Sequence, residues 1–431
     1  MKAASIHHQS LELSSPNFLD ARSKKLVLNW LKKIKVGHLV IQDNGQTHHF
    51  GEAESTATLN ATVDISHPVA YRDILLHGTI GAGEAYMRGA WQSPDLTAVI
   101  RLLCANIHMM QSIDGGWARI GRIFSSVLHR LRINTKRNSQ LNIAAHYDLG
   151  NDFFKLFLDD TMMYSSAIFE NKASSLYEAS VYKLAHICER LDLQVSDHLL
   201  EIGTGWGGMA IYAAKHYGCK VTTTTISKEQ YQYACEQVEK ENLNDKVTVL
   251  LDDYRDLTRE KNGEIKQYDK LVSIEMIEAV GHQYYRQYFS TCAQLLKPDG
   301  LMLIQAITVP DQRYELTKRS ADFIQRYIFP GGELPSLAII AEHVKDDSDM
   351  QIVGVDDITL DYARTLKEWR LRFFDKLNEV KAQGFDDVFI RMWDFYLCYC
   401  EGGFAERTIS TIQVLMAKPR CTAIPMVKHL A

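Results

Sequence analysis

The chain has 431 residues, 46% of them hydrophobic and 23% charged, with a net charge of -5, which suits a globular protein of two domains with a large core. The acidic balance excludes a global attraction to nucleic acid or anionic lipid, so any such contact must be local. No stretch is apolar enough to span a bilayer, residues 1–18 lack the apolar core of a signal peptide, and the eight cysteines and sixteen histidines show no metal-type or disulfide-type spacing, so reduced cytosolic thiols and no metal are expected.

Residues 1–115 read as a small α+β domain. Residues 25–34 have helical periodicity, and 37–50 read as two short strands around the hairpin signal Asp43-Asn44-Gly45. Residues 68–76 are predicted helical, and Gly78-Thr79-Ile80-Gly81-Ala82-Gly83 is predicted as a loop before Glu84-Ala85-Tyr86-Met87. Residues 116–140 differ in kind. Arg119, Arg122, Arg130, Arg132, Lys136 and Arg137 stand with no acid among them, while Trp117, Ile120, Ile123, Phe124, Val127, Leu128 and Leu131 recur at helical spacing. This is a basic amphipathic linker, suited equally to docking on the protein and to an anionic membrane surface.

Residues 141–431 read as one α/β domain. Predicted strands at 198–202, 220–226, 246–251, 269–274 and 300–309 alternate with helices at 206–217, 228–241 and 283–296. Ser227 caps the second of these helices, with Gln230 in capping-box position. Strands at 351–355 and 408–417 are separated by helical stretches at 362–382 and 386–400. The pattern is a doubly wound, Rossmann-like sheet that ends in a late hairpin and is broken by a helical insert.

The most informative segment is Leu199-Leu200-Glu201-Ile202-Gly203-Thr204-Gly205-Trp206-Gly207-Gly208. A strand, a tight turn and a helix follow one another there, as where an α/β sheet receives a nucleotide-like ligand. Gly203, Gly205 and Gly208 also satisfy the dinucleotide fingerprint, which wants an acid at the end of the next strand. That strand ends Thr223-Thr224-Thr225-Ile226-Ser227, without one. S-adenosylmethionine (SAM), which needs only close backbone approach, is the remaining reading.

Further segments follow the same order as in one known family. They are Ala145-His146-Tyr147-Asp148-Leu149-Gly150-Asn151-Asp152-Phe153-Phe154, Met163-Tyr164-Ser165-Ser166-Ala167, Thr225-Ile226-Ser227-Lys228-Glu229-Gln230, Asp253-Tyr254-Arg255-Asp256-Leu257, Met276-Ile277-Glu278-Ala279-Val280-Gly281, and Arg326-Tyr327-Ile328-Phe329-Pro330-Gly331-Gly332 with Leu334-Pro335-Ser336. With the glycine turn they make the chain resemble the cyclopropane-fatty-acyl-phospholipid synthases and their mycolic acid cyclopropane relatives, nearly end to end.

The resemblance implies a class I, SAM-dependent methyltransferase domain that adds the SAM methyl carbon to a cis double bond in a phospholipid acyl chain. The resulting carbocation loses a proton to a bound bicarbonate and closes a cyclopropane ring. Carried over position by position, the bicarbonate site is Glu278, Tyr362, the backbone N–H of Ile307, Ser166 in place of the family's cysteine, and Gln305 in place of its frequent histidine. Cys400, in Tyr396-Leu397-Cys398-Tyr399-Cys400-Glu401, matches a late family cysteine; packing is favoured over a catalytic role, because this chemistry uses no covalent nucleophile. The cofactor site carried over is Tyr164 and Ser165 at a lid, Gly203 and Gly205 at the turn, Thr225, Ile226 and Gln230 in place of the missing ribose acid, and Asp253 and Tyr254 flanking adenine. The implied setting is the cytoplasm and the inner membrane face, without nucleic acid; a homodimer is left open. Two alternatives stand beside it: methyl transfer that leaves a methyl-branched or methylene-bearing chain, and a non-catalytic SAM- or lipid-binding protein.

Overall fold

In the computed structural model, which describes residues 15, 17–54, 56–108, 149–258, 265–318 and 320–422, the chain divides into two units. The first comprises Met1–Leu131, Arg319–Pro330 and Leu366–Thr408, the second Arg132–Lys318, Gly331–Thr365 and Ile409–Ala431. The basic amphipathic linker expected at 116–140 lies outside the described residues. Among the described residues no helix is long and apolar enough to cross a membrane.

In the first unit, α1 (Phe18–Leu31) begins earlier than its periodicity predicts, because Asn17 and Asp20 form a reciprocal capping box. Strands β1 (His38–Asp43) and β2 (Gln46–Gly51) form the predicted hairpin. Its turn residues Asn44 and Gly45 have φ of 49° and 76°, as a two-residue turn between right-twisted strands requires. Strand β3 (Asn60–Ile65) pairs parallel to β1. The expected loop over Gly78–Gly83 is instead part of α2 (Val69–Met87), a helix kinked at Gly78. Two of the glycines serve packing: a Cβ on Gly81 would stand 2.0 Å from the Asp73 carbonyl oxygen, and one on Gly83 would stand 2.4 Å from the Phe323 ring. Strand β4 (Trp91–Gln92) completes the sheet β2-β1-β3-β4, and α3 (Leu96–Ala105) follows. The late helix Asp387–Ala405 packs within this unit. Tyr86 donates to Asp394 at 2.7 Å, and the Arg391 guanidinium lies over the Tyr86 ring at 4.2 Å.

The second unit includes α4 (Leu176–Arg190), β5 (His198–Ile202), α5 (Gly208–His216), β6 (Lys220–Thr224), α6 (Lys228–Lys240) and β7 (Val247–Leu250). It continues with β8 (Tyr268–Ile274), α7 (Tyr285–Leu295), β9 (Leu296–Thr308), α8 (Leu337–Asp347), β10 (Gln351–Asp357) and β11 (Ser410–Ala417). The sheet order is β10-β11-β9-β8-β5-β6-β7. Strands β5 to β9 run parallel, and β11 is antiparallel to both β9 and β10. The predicted alternation is therefore observed, while the predicted helix at 362–382 is two helices, Thr359–Asp375 and Leu377–Ala382.

Both faces of the sheet are covered. Leu200, Leu271, Met302 and Phe289 pack on one side, Leu199, Val221, Leu303 and Met209 on the other. Each such side chain contributes about 1.5–3 kcal/mol by leaving water. Strand β6 carries three buried threonines, tolerated because each hydroxyl is bonded: Thr222 with His198, Thr223 with Glu201, Thr224 with the Asp252 carbonyl. After β5 the chain moves to β6 on one side and later returns as β8 on the other. The carboxyl ends of β5 and β8 thus flank a topological switch point, where open α/β sheets hold their ligands.

Candidate active site

The turn after β5 is built from backbone. Gly203, Gly205 and Gly207 have φ of 100°, 52° and 92°, values that side chains disfavour. The N–H groups of Gly203 and Thr204 both donate to the Thr224 carbonyl, at 3.0 and 3.1 Å. A Cβ on Gly205 would meet no heavy atom within 4 Å, and one on Gly203 would lie 3.3 Å from Met276 Cγ. Gly205 thus opens onto free space at the head of a helix, a cradle that a side chain would fill, and this fits close approach by SAM.

The other predicted cofactor residues stand at the same edge of the sheet or beside the turn. Tyr164 packs edge-on against Phe154, with ring centres 5.2 Å apart, and lies 6.5 Å from Trp206. The buried Ser165 hydroxyl accepts from Lys183 Nζ at 2.8 Å. The Thr225 hydroxyl donates to Gln230 Oε1 at 2.9 Å. Gln230 therefore forms only half of the predicted capping box: its N–H reaches Ser227 Oγ, but its side chain turns to Thr225. Ile226, between them, is half-buried. Asp253 is held by Arg255 through Nε at 2.8 Å and Nη2 at 2.5 Å, and Tyr254 packs edge-on against Tyr288 at 5.6 Å.

The second part of the site is a pair of acids. Glu275 follows β8 directly, with φ of 48°. Its Oε1 accepts from the Ser166 N–H at 2.9 Å and from Gln305 Nε2 at 2.8 Å, and its Oε2 accepts from the Tyr362 hydroxyl at 2.7 Å. Gln305 is oriented by Gln413, whose Nε2 donates to Gln305 Oε1 at 2.9 Å from its register partner position on β11. Glu278 sits one short turn later. Its Oε1 accepts from the Ile307 N–H at 2.5 Å, while its buried Oε2 has no hydrogen-bond partner among the described residues.

Burial raises the proton affinity of both acids. Glu278 is pushed up to about 8, by burial first and by the charge of Glu275 second. Glu275 is also raised by burial, but donors from Ser166, Tyr362 and Gln305 and the charge of Lys183 oppose the rise. Hydrogen bonds to a charged group are worth about 1.5–3 kcal/mol each, so the negative charge of the pair belongs on Glu275 and the proton on Glu278. Lys183 is fully buried, and burial pulls its ammonium down to about 8 against the charges of Glu275, Asp159 and Glu201.

The structure brings Glu278, Tyr362, Ser166, Gln305 and Ile307 close together, but the expected bicarbonate does not fit them, because their donors are taken by carboxylates. Of the four donors assigned to the anion, Gln305 Nε2 and the Tyr362 hydroxyl point at the Glu275 carboxylate, joined by the Ser166 backbone N–H, and the Ile307 N–H points at Glu278. The Ser166 hydroxyl is turned away, donating to the Ala167 carbonyl at 2.9 Å. The physical reason is a second acid, three residues ahead of Glu278. Sequence reasoning missed Glu275 and Lys183, although each left a signal. Glu275 ends the strand run Leu271-Val272-Ser273-Ile274, and Lys183 falls on the apolar face of α4 with Leu176, Ala179, Leu184 and Ile187. Cys400 lies in the first unit, half-buried on the helix Asp387–Ala405, and its thiol is pushed up by burial and then by the charge of Asp322, as in a packing cysteine.

Comparison with known proteins shows the family to which this fold belongs. Residues 134–414 match the family model described as mycolic acid cyclopropane synthetase. A tuberculostearic acid methyltransferase of Mycobacterium tuberculosis is 38% identical over 79% of this chain and 79% of its own length. The cyclopropane-fatty-acyl-phospholipid synthase of Escherichia coli is 35% identical over 83% of this chain and 88% of its own. The solved structure of the mycolic acid cyclopropane synthase CmaA1, complexed with SAH and CTAB, superposes with a TM-score of 0.58 at 31% identity, covering 65% of this chain and 98% of that one.

Proposed function

The chain belongs to the mycolic acid cyclopropane synthetase family of SAM-dependent methyltransferases, and we propose that it adds the SAM methyl carbon to the cis double bond of an unsaturated phospholipid acyl chain, giving a cyclopropane. The observation that carries this reading is the pairing of two features at one switch point: the open glycine turn after β5 and the two acids after β8. SAM, as co-substrate, supplies an electrophilic methyl carbon. The open turn would let the co-substrate approach the backbone, and Thr225 with Gln230 would offer it polar partners. An alkene has no proton to lose before it attacks, so no base is needed for the first bond. What the protein must supply is negative charge beside the developing carbocation and an acceptor for one proton.

Vesicles of cis-unsaturated phospholipid incubated with the protein and methyl-labelled SAM test this. Lipid mass spectrometry should show one labelled carbon added to the acyl chain, and NMR should show high-field ring protons. Label confined to headgroup, protein or small amines would overturn the assignment. A second reading, in which the chain keeps a methylene or methyl branch, is favoured by the similarity to the tuberculostearic acid methyltransferase. Methylene and cyclopropane products are isomers, each reached by loss of one proton; a saturated branch also needs a hydride donor. The same NMR spectrum separates them.

The acyl substrate lies in a bilayer, so peripheral membrane contact belongs to the proposal, with the basic segment 116–140 as its instrument. Replacing Arg119, Arg122, Arg130 and Arg132 with Glu should weaken binding to anionic vesicles, at about 1 kcal/mol for each lost basic group. SAM binding should be unchanged. Vesicle affinity indifferent to the four changes would assign the segment to a linker role.

A further inference from the structure

We propose that Glu275 is the proton acceptor of the reaction, a base carried by the chain itself at the place where the family resemblance sets a bicarbonate ion. The proposal rests on the reading above, in which a lipid carbocation must lose one proton.

Four observations lead to it. First, the donors are those of an anion site, and they are already spent on a carboxylate: Ser166 N–H and Gln305 Nε2 on Oε1, Tyr362 hydroxyl on Oε2. Second, the location is that of the chemistry. Glu275 adjoins Met276, whose Cγ borders Gly203 of the cofactor turn, and Ser166 adjoins Ser165 and Tyr164. Third, a carboxylate has about four lone-pair sites and three are taken by Ser166, Gln305 and Tyr362, which leaves one to accept a proton. Fourth, its backbone is in the left-handed region at φ 48°, at a cost of about 1–2 kcal/mol for a residue with a Cβ. The conformation is held by its N–H, which donates to the Gln305 carbonyl at 2.8 Å. Glycine would sit there without strain, so the acid is maintained against a backbone cost, as at sites where a side chain has a task.

The step balances without a further reagent. The alkene π pair forms a bond to the methyl carbon as the carbon–sulfur bond breaks, its electron pair staying on sulfur. The cation is left on the neighbouring alkene carbon. Glu275 takes a proton from the new methyl carbon, and the released C–H pair closes the ring; in the methylene alternative a 1,2-hydride shift first moves the cation onto the methyl-bearing carbon, and the released pair then forms the exocyclic double bond. Glu275 is then a carboxylic acid and returns its proton to solvent as product leaves. Glu278, carrying the other proton of the pair, keeps the site at a single negative charge. A carboxylate is a weak base, but a proton next to a carbocation is strongly acidic, so placement matters more than strength.

The experiment compares carbonate-free buffer with added bicarbonate. Wild-type turnover should be equal in both. Glu275→Gly should lose about 10²–10⁴-fold in carbonate-free buffer, the usual contribution of a positioned base, with calorimetric SAM affinity retained. Added bicarbonate should restore much of the loss, because glycine accepts the left-handed backbone and frees the three donors. Glu275→Gln should be equally slow and not rescued, since its amide fills the site. A wild-type enzyme that needs bicarbonate, either variant at the wild-type rate in carbonate-free buffer, or Glu275→Gly deaf to bicarbonate would each overturn the assignment. Product formed only with bicarbonate is the failure of this base. Absence of lipid product from the wild type in both buffers is the failure of the reaction itself, and the proposal falls with it.

Discussion

The turn after β5 and the acid pair after β8 lie side by side, yet they are made in opposite ways. The turn is local: within five consecutive residues, three glycines at positive φ define its path, and one carbonyl, Thr224, fixes it to the neighbouring strand. The acid site is assembled from Ser166, Glu275, Gln305, Tyr362 and Gln413, nearly 250 positions apart at the extremes, each delivered by a different element. A site made of backbone tolerates changes of side chain around it. A site made of side-chain hydrogen bonds is reassigned by a single new acid.

The difference is sharpest in Gly205→Val. A β-branched residue at φ 52° carries ~2 kcal/mol of strain before it occupies the ligand's space, so SAM affinity should fall by at least about 30-fold. Calorimetric titration measures it, and near-wild-type affinity would mean that the cofactor does not approach this turn. The opposite outcome is expected at Glu278. With its carboxyl pushed up to about 8, the side chain is a neutral acid at pH 7, and Glu278→Gln preserves both shape and charge. Turnover should fall by about tenfold, the value of one impaired hydrogen bond, with SAM affinity unchanged. A loss as large as that of Glu275→Gln would show that Glu278 carries the working charge.

A smaller effect concerns stability. Glu201, buried in β5 behind the turn, is pushed up to about 8 by burial, against the Thr223 hydroxyl and the charge of Lys183. Its folded value lies above the unfolded one near 4.3. The contribution is therefore fully present below that value and is lost as pH rises through about 8. The urea midpoint should decline between pH 5 and pH 8, by at most about 1.4 kcal/mol per unit from this group, and Glu201→Gln should flatten the slope. Parallel pH profiles for the two proteins would contradict the assignment. The smallest effect is expected for Ser166→Ala. Only the backbone N–H reaches Glu275, and the hydroxyl bonds the adjacent carbonyl. Turnover should drop less than about fivefold, with about 1 kcal/mol lost from stability. A collapse in turnover would place the hydroxyl in the site after all.

These contrasts follow what was legible in the chain. Alternating apolar runs and glycine-bounded helices were sufficient for β5 to β9 and the helices between them, because the strands inside the sheet are largely buried on both faces and each turn has a local chemical signature. Asn44-Gly45 specified its hairpin for the same reason. Gly81 and Gly83 misled, because a glycine required for close packing against Asp73 and Phe323 reads in one dimension like a glycine in a loop. The matched motifs located Glu278, Tyr362, Ser166, Gln305 and Ile307, but not the direction in which their donors point.

By itself, then, the sequence determined the α/β alternation, the glycine turn and the family, and it named five residues that the fold brings close together. Those are matters of local conformation and of residue type at a position. Tertiary structure alone decided that the helix Asp387–Ala405 packs in the first unit through Asp394 and Arg391, that Lys183 is buried within reach of Ser165, and that Glu275 takes the donors of Ser166, Gln305 and Tyr362. A hydrogen bond is directional and exclusive. Which of two acids receives it depends on the register of β8, β9 and β11 and on a backbone φ at residue 275, quantities that exist only once the strands are paired.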